Sequence, residues 1–322
     1  MKIYHSLPEV PPDFGPSVLT IGNFDGVHFG HRRILKRVVS LARERGWKPS
    51  VLTFDPHPTR VVAPARAPKL LTSPPRRAEL MCEEGIEQVL ILPFTAEVAQ
   101  LAPEEFVRQL VVERLGAKAV LVGENFRFGH RQAGNVQVLA ALGHRLSFET
   151  EVVPVAACRG RIASSSGIRE AIQAGRVALA ARLLQHPFGI EGDVIKGRGV
   201  GAKQTVPTLN LATDAEVLPA RGVYLTRTRD SGTSRTWNSI TNVGYRPTFG
   251  ETDQLSIETF LLETLDGESP HHIQVEFLCR VRDERKFATP EALKAQILKD
   301  VRVAQNYFRR ARNWVGRQPS RA

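Results

Sequence analysis

Little in this chain could cross-link it or hold it to a membrane. Only three of its 322 residues are cysteines and two are methionines. Cys82, Cys158 and Cys279 stand far apart with no C-x-x-C pair, which argues against a disulfide framework and a thiolate zinc site and suits a reducing cytoplasm. No run approaches the ~18 apolar residues that cross a bilayer, and the first residues lack the apolar centre of a signal peptide, so neither export nor insertion is expected. Repeats and low-complexity segments are missing too. Acidic residues are the minority, 33 against 44 Lys and Arg, for a net charge of +11. Such a surplus attracts phosphates, on nucleotides, nucleic acid or membranes, and charge alone does not choose among them. The basic stretch Arg302–Arg321 reads as a solvated helix end, so nucleic acid is not an expected partner.

What is present is a foldable core. A hydrophobic fraction of 42% in 322 residues exceeds what one core usually organises, and two domains are expected. From Ser17 onward, β-branched runs at Val18–Ile21, Val51–Phe54, Val89–Leu92, Ala119–Val122 and Phe148–Val153 read as buried strands. Helical spacing fills the intervals at His31–Arg45, Pro103–Leu115 and Gln132–Leu142, and again at Arg169–Leu184. This alternation predicts a parallel sheet covered on both faces. The texture changes at His186–Phe188, dividing 1–186 from 187–322. Short runs at Gly192–Ile195, Leu209–Ala212, Val223–Thr228, Arg235–Thr241, Leu255–Leu262 and Ile273–Leu278 then predict a small antiparallel barrel, closed by a helix at Pro290–Arg310 with Leu293, Ile297 and Val301 on one face.

The chemistry concentrates in a few strings. Ile21-Gly22-Asn23-Phe24-Asp25-Gly26-Val27-His28-Phe29-Gly30-His31 joins the first strand to the first helix, where an open parallel sheet places its ligand crevice. Glycines permit close backbone approach, the helix start favours an anion, and His28 and His31, three apart, can face one triphosphate. A zinc site from His28, His31 and His57 is the competing reading; no cysteine or further ligand lies at metal spacing. Ser164, Ser165 and Ser166 precede a helix carrying Arg169, a set that suits departing pyrophosphate. In the second half, Gly197, Gly199 and Gly201 can form a backbone nest for ATP phosphates, and Thr208 and Asn210 are hard oxygen donors suited to Mg²⁺.

These strings resemble the bacterial bifunctional riboflavin kinase/FAD synthetases. Gly22–His31 resembles the family's G-x-F-D-G-V-H-x-G-H, Thr53–Pro58 its T-F-x-P-H-P, Gly123–Gly129 the segment ending a later strand, and Ala163–Arg169 its I-S-S-T-x-I-R. Pro207–Asn210 resembles P-T-A-N, Gly222–Tyr224 G-V-Y, and Asn242–Phe249 N-x-G-x-R-P-T-F. The resemblance implies an α/β chain: a Rossmann-like nucleotidyltransferase domain, then a β-barrel kinase domain ending in a helix. It implies Mg²⁺, ATP as co-substrate, and riboflavin, FMN and FAD as substrates or products. His28, His31 and Arg169 would serve adenylyl transfer and Glu258 would take the proton from the riboflavin hydroxyl. Gly22, Asn23, Phe24, Asp25, Gly30 and Ser164–Ser166 would hold ATP, while His57, Asn125, Arg282, Glu284 and Phe287 would face the flavin. Departures gather in the barrel: Thr205 and Val206 replace Gly and Phe, Phe260 and Glu263-Thr264 replace parts of H-L-L-D-F, and Ser269–His272 replaces D-L-Y-G. The retained donors and base favour an active kinase of altered affinity. Two other readings are a nucleotidyltransferase for another phosphorylated acceptor, and an FMN adenylyltransferase whose impaired barrel is a flavin- or RNA-binding regulator.

Overall fold

The computed structural model describes residues 1–315 except 156, 159, 196–207, 234, 247–253, 266 and 267. Contacts divide the chain into two compact units, Met1–Ser165 and Ser166–Ala322.

The first unit is a parallel sheet in the order β1-β4-β3-β2-β5-β6. Its strands are β1 (Lys2–Tyr4), β2 (Ser17–Ile21), β3 (Lys48–Asp55), β4 (Gln88–Pro93), β5 (Ala117–Gly123) and β6 (Glu149–Val153). The helices are α1 (Phe29–Arg45), α2 (Pro58–Val62), α3 (Pro74–Glu83), α4 (Ala96–Gln100), α5 (Pro103–Phe106) and α6 (Val136–Leu146). Alternation along the central strands feeds two cores. Leu19, Ile21, Leu52, Leu90, Leu92, Val120 and Val122 join Leu110, Leu139 and Leu142 on one face. Val18, Val51, Val89, Ile91, Ala119 and Leu121 meet Leu35, Val38, Leu80 and Met81 on the other. Strands covered on both sides must be apolar at every position, which is why they read as unbroken β-branched runs.

The five strands expected here are present, and β1 is an addition: three residues at the sheet edge, too short for a periodic signal. The stretch Pro103–Leu115 is helical throughout, but after α5 it widens into a π-helix over Val107–Arg114, with the Leu115 N–H reaching back to the Leu110 carbonyl. The expected helix at Gln132–Leu142 starts later. Arg131 and Gln132 take positive φ values of 50° and 58°, and Asn135 caps α6 by accepting the Val138 N–H at 2.9 Å.

In the second unit, α7 (Ser165–Gln173) and α8 (Val177–Leu184) replace the single helix expected over Arg169–Leu184, parted at Gly175, whose φ is 72°. Near the end of the first unit, β7 (Ala157–Cys158) and β8 (Arg161–Ile162) form a small hairpin. The barrel then closes in the order β10-β13-β12-β11-β14-β9, from β9 (Phe188–Ile195), β10 (Thr208–Ala212), β11 (Gly222–Asp230), β12 (Thr236–Arg246), β13 (Gln254–Leu261) and β14 (His272–Arg282), followed by α9 (Pro290–Val315). Along β11 the residues alternate: Val223 and Leu225 pack with Ile240 against Ala304 and Phe308 of α9, while Thr226 and Thr228 turn the other way. There they join Ser239, Thr241 and Thr259 in a chain of buried hydroxyl hydrogen bonds of 2.8–2.9 Å. Each hydroxyl finds a partner, so the polar filling carries no desolvation debt.

Gly192 on β9 is where the barrel leaves no room: a Cβ there would lie 1.9 Å from the Ala212 carbonyl oxygen. Gly192→Ala should destabilise the barrel by about 3 kcal/mol, the upper end for an overpacked site. Gly189→Ala, whose nearest neighbour is the Gln274 side chain at 3.5 Å, should be nearly neutral. Chemical denaturation of both variants checks this; equal midpoints would contradict it.

Candidate functional site

The turn after β2 is tightly wound. Phe24, Gly26 and Val27 all take positive φ, at 49°, 80° and 38°, a conformation that costs a β-branched residue on the order of 1–3 kcal/mol. Surrounding bonds hold it. The Asp25 carboxylate, 2% exposed, accepts from the Leu71 and Thr72 N–H groups at 2.9 and 3.1 Å. Ser165 Oγ donates to the Asp25 carbonyl at 3.0 Å. Arg32 donates to the Val27 carbonyl at 3.2 Å and is ion-paired to Glu84 beyond the end of α3. The Asp25 carboxylate is therefore engaged with the loop. A Cβ on Gly22 would meet the Phe24 ring at 3.2 Å, and one on Gly30 would meet the His28 ring at 3.2 Å. The second case explains the spacing H-x-G-H: the first imidazole lies over the glycine.

His28 and His31 are brought together. Their rings stack with centroids 3.7 Å apart and planes at 16°, and Phe24 meets His31 edge-on at 5.1 Å. His28 caps α1, its Nδ1 accepting the His31 N–H at 3.4 Å. An accepting Nδ1 carries no proton, so in the neutral ring the proton sits on Nε2, which is then a donor. Burial lowers the His28 pKa to about 4. Burial first, then His28, then Arg77, lower that of His31 well below the ordinary histidine value. Both rings are thus uncharged donors at neutral pH in the free protein.

Around them the sheet edge supplies amides. His57 caps α2, its Nδ1 accepting the Thr59 N–H at 3.2 Å, and its Nε2 lies 3.0 Å from the Asn23 amide. With Nδ1 accepting, the proton is on Nε2; Asn23 Nδ2 is the atom placed against it, and turning that amide over gives Nε2–H an oxygen acceptor. Asn125 is exposed on the loop after β5, beside β2 in the sheet. Ser164 and Ser165 end the first unit; Ser166 and Arg169 belong to α7 in the second. Motif reading missed Arg77 on α3, 2% exposed, which donates to Thr53 Oγ1 at 3.3 Å and to the Phe54 carbonyl at 3.4 Å. Helical spacing carried the signal, because Arg77 precedes the buried Leu80 and Met81 by three and four positions.

The barrel carries a second constellation. Asn210 of β10 and Asn242 of β12 both stand directly opposite Glu258 of β13, and Thr208 lies two residues from Asn210 on the same strand face. Glu258, Asn242, Phe260, Arg282, Glu284 and Phe287 line one cavity of about 290 Å³, roofed by Leu293, Ile297 and Val301 of α9. Ser256, two residues before Glu258, donates to its Oε1 at 3.0 Å. Arg282 forks onto Asp300 of α9, at 2.8 Å at its shortest, and lies 5.8 Å from the centre of the Phe287 ring. A Cβ on Gly244 would fall 2.0 Å from Glu284 Oε1, so the glycine of Asn242-Val243-Gly244 makes room for that carboxylate. A groove of about 1070 Å³ shares Arg282, Glu284, Arg285 and Asp300 as a wall. Sequence reading named Asn242 only as the start of the N-x-G-x-R-P-T-F string, and register across β12 and β13 sets it opposite Glu258; Ser256 was not singled out, although strand periodicity puts it on the face of Glu258. Gly197, Gly199, Gly201, Thr205 and Val206 lie outside the described residues, as do Pro247, Thr248 and Phe249. Among the described residues no group of three or more His, Cys, Asp or Glu is placed to hold a metal ion, and no helix is long and apolar enough to cross a membrane.

A histidine-bearing turn on a parallel sheet, followed by a barrel with a carboxylate among amides, is the architecture of a two-domain nucleotide-dependent transferase. The FAD synthetase family matches residues 11–167 and the riboflavin kinase family residues 184–308. The bifunctional riboflavin kinase/FMN adenylyltransferase of Escherichia coli strain K12 is 34% identical over 94% of this chain and 96% of its own length. Its counterpart from Pseudomonas fluorescens is 34% identical over 95% and 97%. A crystal structure of a Streptococcus pneumoniae protein named as a macrolide-efflux protein shares the fold, with a TM-score of 0.82 and 25% identity over 95% of this chain and 98% of that one. The chain belongs to the bifunctional riboflavin kinase/FMN adenylyltransferase family.

The depressed histidine has a consequence for stability. Between about pH 6.5 and about 4 the unfolded chain binds a proton at His28 that the folded chain refuses. Its contribution is therefore full above 6.5 and is lost as pH falls toward 4, by roughly 3 kcal/mol. Urea midpoints of the first unit should drop across this window, and His28→Asn, which keeps a capping acceptor, should flatten the drop. An unchanged pH slope in the variant would refute the assignment.

Proposed function

We propose that this chain builds FAD from riboflavin in two ATP-dependent steps, phosphorylation in the barrel and adenylylation on the parallel sheet, and that the functional division falls near 186–187, with α7 and α8 leading into the barrel. The observation that carries the first-unit reading is the stacked pair His28 and His31 over Gly30, at the turn where the sheet opens its crevice.

In adenylyl transfer an FMN phosphate oxygen attacks the α-phosphorus of ATP, the bond from that phosphorus to the bridging oxygen breaks, and pyrophosphate leaves with the electron pair. No protein nucleophile is needed, and the chain contributes position and charge. His28 Nε2–H and His31 donate to the α-phosphate oxygens, whose charge grows as the bond changes hands. The backbone of Gly22–Asp25 and Gly30 lines the nucleotide. Ser164, Ser165, Ser166 and Arg169 receive the pyrophosphate, and His57 and Asn125 face the flavin side.

In the barrel, Glu258 takes the proton of the riboflavin terminal hydroxyl as its oxygen attacks the γ-phosphorus, the bond from that phosphorus to the β–γ bridging oxygen breaks, and ADP leaves with the electron pair. Ser256 donates to Oε1 of that carboxylate, which helps to fix its orientation. The flavin lies between Phe287, Arg282 and Glu284 beneath α9. Thr208 and Asn210 present neutral oxygen donors beside Glu258, a set that fits Mg²⁺, which when bound neutralises phosphate charge. Gly197, Gly199 and Gly201 complete the proposed phosphate nest. An active barrel is favoured over a decayed one because base, amides and hydroxyl share one face. Few cysteines and no C-x-x-C pair suit the cytoplasm as the place of action.

Two variants should separate the activities when riboflavin, FMN and FAD are resolved chromatographically after incubation with Mg-ATP. His28→Ala should convert riboflavin to FMN and stop there, with adenylyl transfer down about 10²–10³-fold. Glu258→Gln should make FAD from supplied FMN but not from riboflavin. Wild-type FAD formation by His28→Ala would overturn the first assignment, and wild-type FMN formation by Glu258→Gln the second.

A further inference from the structure

Arg77 is a buried cation with no direct ion pair among the described residues. Its side chain reaches from α3 to the end of β3 beneath the histidine turn, where one arm bonds Thr53 Oγ1 and the Phe54 carbonyl. Asp25 and Asp55 act on it through space, in opposition to the larger effect of burial, which pushes the guanidinium pKa down. Among the described residues it has no ion pair. Its Nε–H is sealed from solvent and unpartnered. A charged donor in that position is an expensive arrangement unless some state of the protein uses it.

A second orphan accompanies it. His31 Nδ1 is also sealed from solvent without a partner, and Arg77 lies near enough for its charge to disfavour protonation of that ring. The two orphans are complementary, since the guanidinium Nε–H can only donate and a deprotonated imidazole Nδ1 can only accept. Joined, they would do for His31 what the His31 N–H does for His28, fixing Nδ1 as the acceptor and leaving the proton on Nε2.

We propose that Arg77 is a positioning residue for adenylyl transfer, whose Nε–H pairs with His31 Nδ1 in the nucleotide-bound enzyme and holds His31 with its proton on Nε2, aimed at the phosphates. This rests on the reading of the turn as the adenylyl-transfer site. Asp25 supplies the mechanical link: it binds the Leu71–Thr72 backbone, directly before the Ser73 cap of α3. A phosphate settling on the turn can thereby adjust α3, and Arg77 with it.

The test uses the full-length protein. In long-range ¹H–¹⁵N spectra taken with Mg²⁺ and α,β-methylene-ATP, the wild-type His31 ring should show its proton on Nε2 and a hydrogen-bonded Nδ1. Arg77→Lys keeps the charge but lacks the Nε–H. It should lower kcat for adenylyl transfer 10–100-fold while moving the ATP KM less than threefold, and Arg77→Gln should raise that KM as well. Riboflavin phosphorylation, measured in the same samples, should stay within twofold. A wild-type His31 protonated on Nδ1 in the complex overturns the proposal, as does an Arg77→Lys enzyme with unchanged kcat. If the variants unfold the first unit, the wild-type spectrum decides alone. His31→Ala separates the two readings: lost adenylyl transfer there with intact transfer in Arg77→Lys sinks only the role of Arg77, whereas intact transfer in both sinks the site.

Discussion

The stacking of two neutral imidazoles over a glycine is the constraint on which the first unit turns. His28 can lie where it does because Gly30 has no Cβ, and it keeps its orientation because Nδ1 is committed to the start of α1. The strained turn that delivers it is held from three sides by Asp25, Ser165 and Arg32. Burial then removes the charge from both rings. An uncharged donor in a dry site is a preorganised one: it needs no solvent reorganisation when negative charge grows on a phosphate, and in a low dielectric its dipole counts for more than in water.

The barrel solves a similar problem by register. Antiparallel pairing sets Asn210, Glu258 and Asn242 in one row across three strands, so the relative positions of carboxylate and amides follow from the sheet and not from a flexible loop. The fork between Arg282 and Asp300 ties α9 over that row, and Asp300 is itself fixed by Gln296 at 2.7 Å. Gly244 repeats the lesson of Gly30, a missing side chain that admits a neighbouring one, here Glu284. Gly30 and Gly244 make room for a neighbour, whereas Gly26 and Gly175 supply positive φ.

Much of this was legible in the residues. Periodicity located five of six strands in the sheet because burial on both faces leaves no polar position to blur the pattern, and it found α1 and α9 because their apolar stripes are long. It failed where local backbone geometry overrides the stripe. Positive φ at Arg131 and Gln132 delayed α6, Gly175 split the helix after Ser165, and the π-helix at Val107–Arg114 has no period to look for. For the sites, contiguous strings such as Gly22–His31 were visible as motifs. Arg77 was not, since it acts from α3 and only the tertiary fold brings it to the turn, and Ser256, two residues from Glu258 on the same strand, belongs to no recognised string. Asp25 shows the converse: a conspicuous motif residue whose carboxylate is engaged in holding a loop.

The central claim, that the stacked histidines receive the innermost phosphate of ATP, is tested most directly by a crystal structure of the full chain with Mg²⁺, α,β-methylene-ATP and FMN. The account predicts the α-phosphate within hydrogen-bonding distance of His28 Nε2, with the His28 ring still over Gly30 and the FMN phosphate in line behind the α-phosphorus. Nucleotide density found only at another place, with both rings left packed as they are in the free protein, would contradict it.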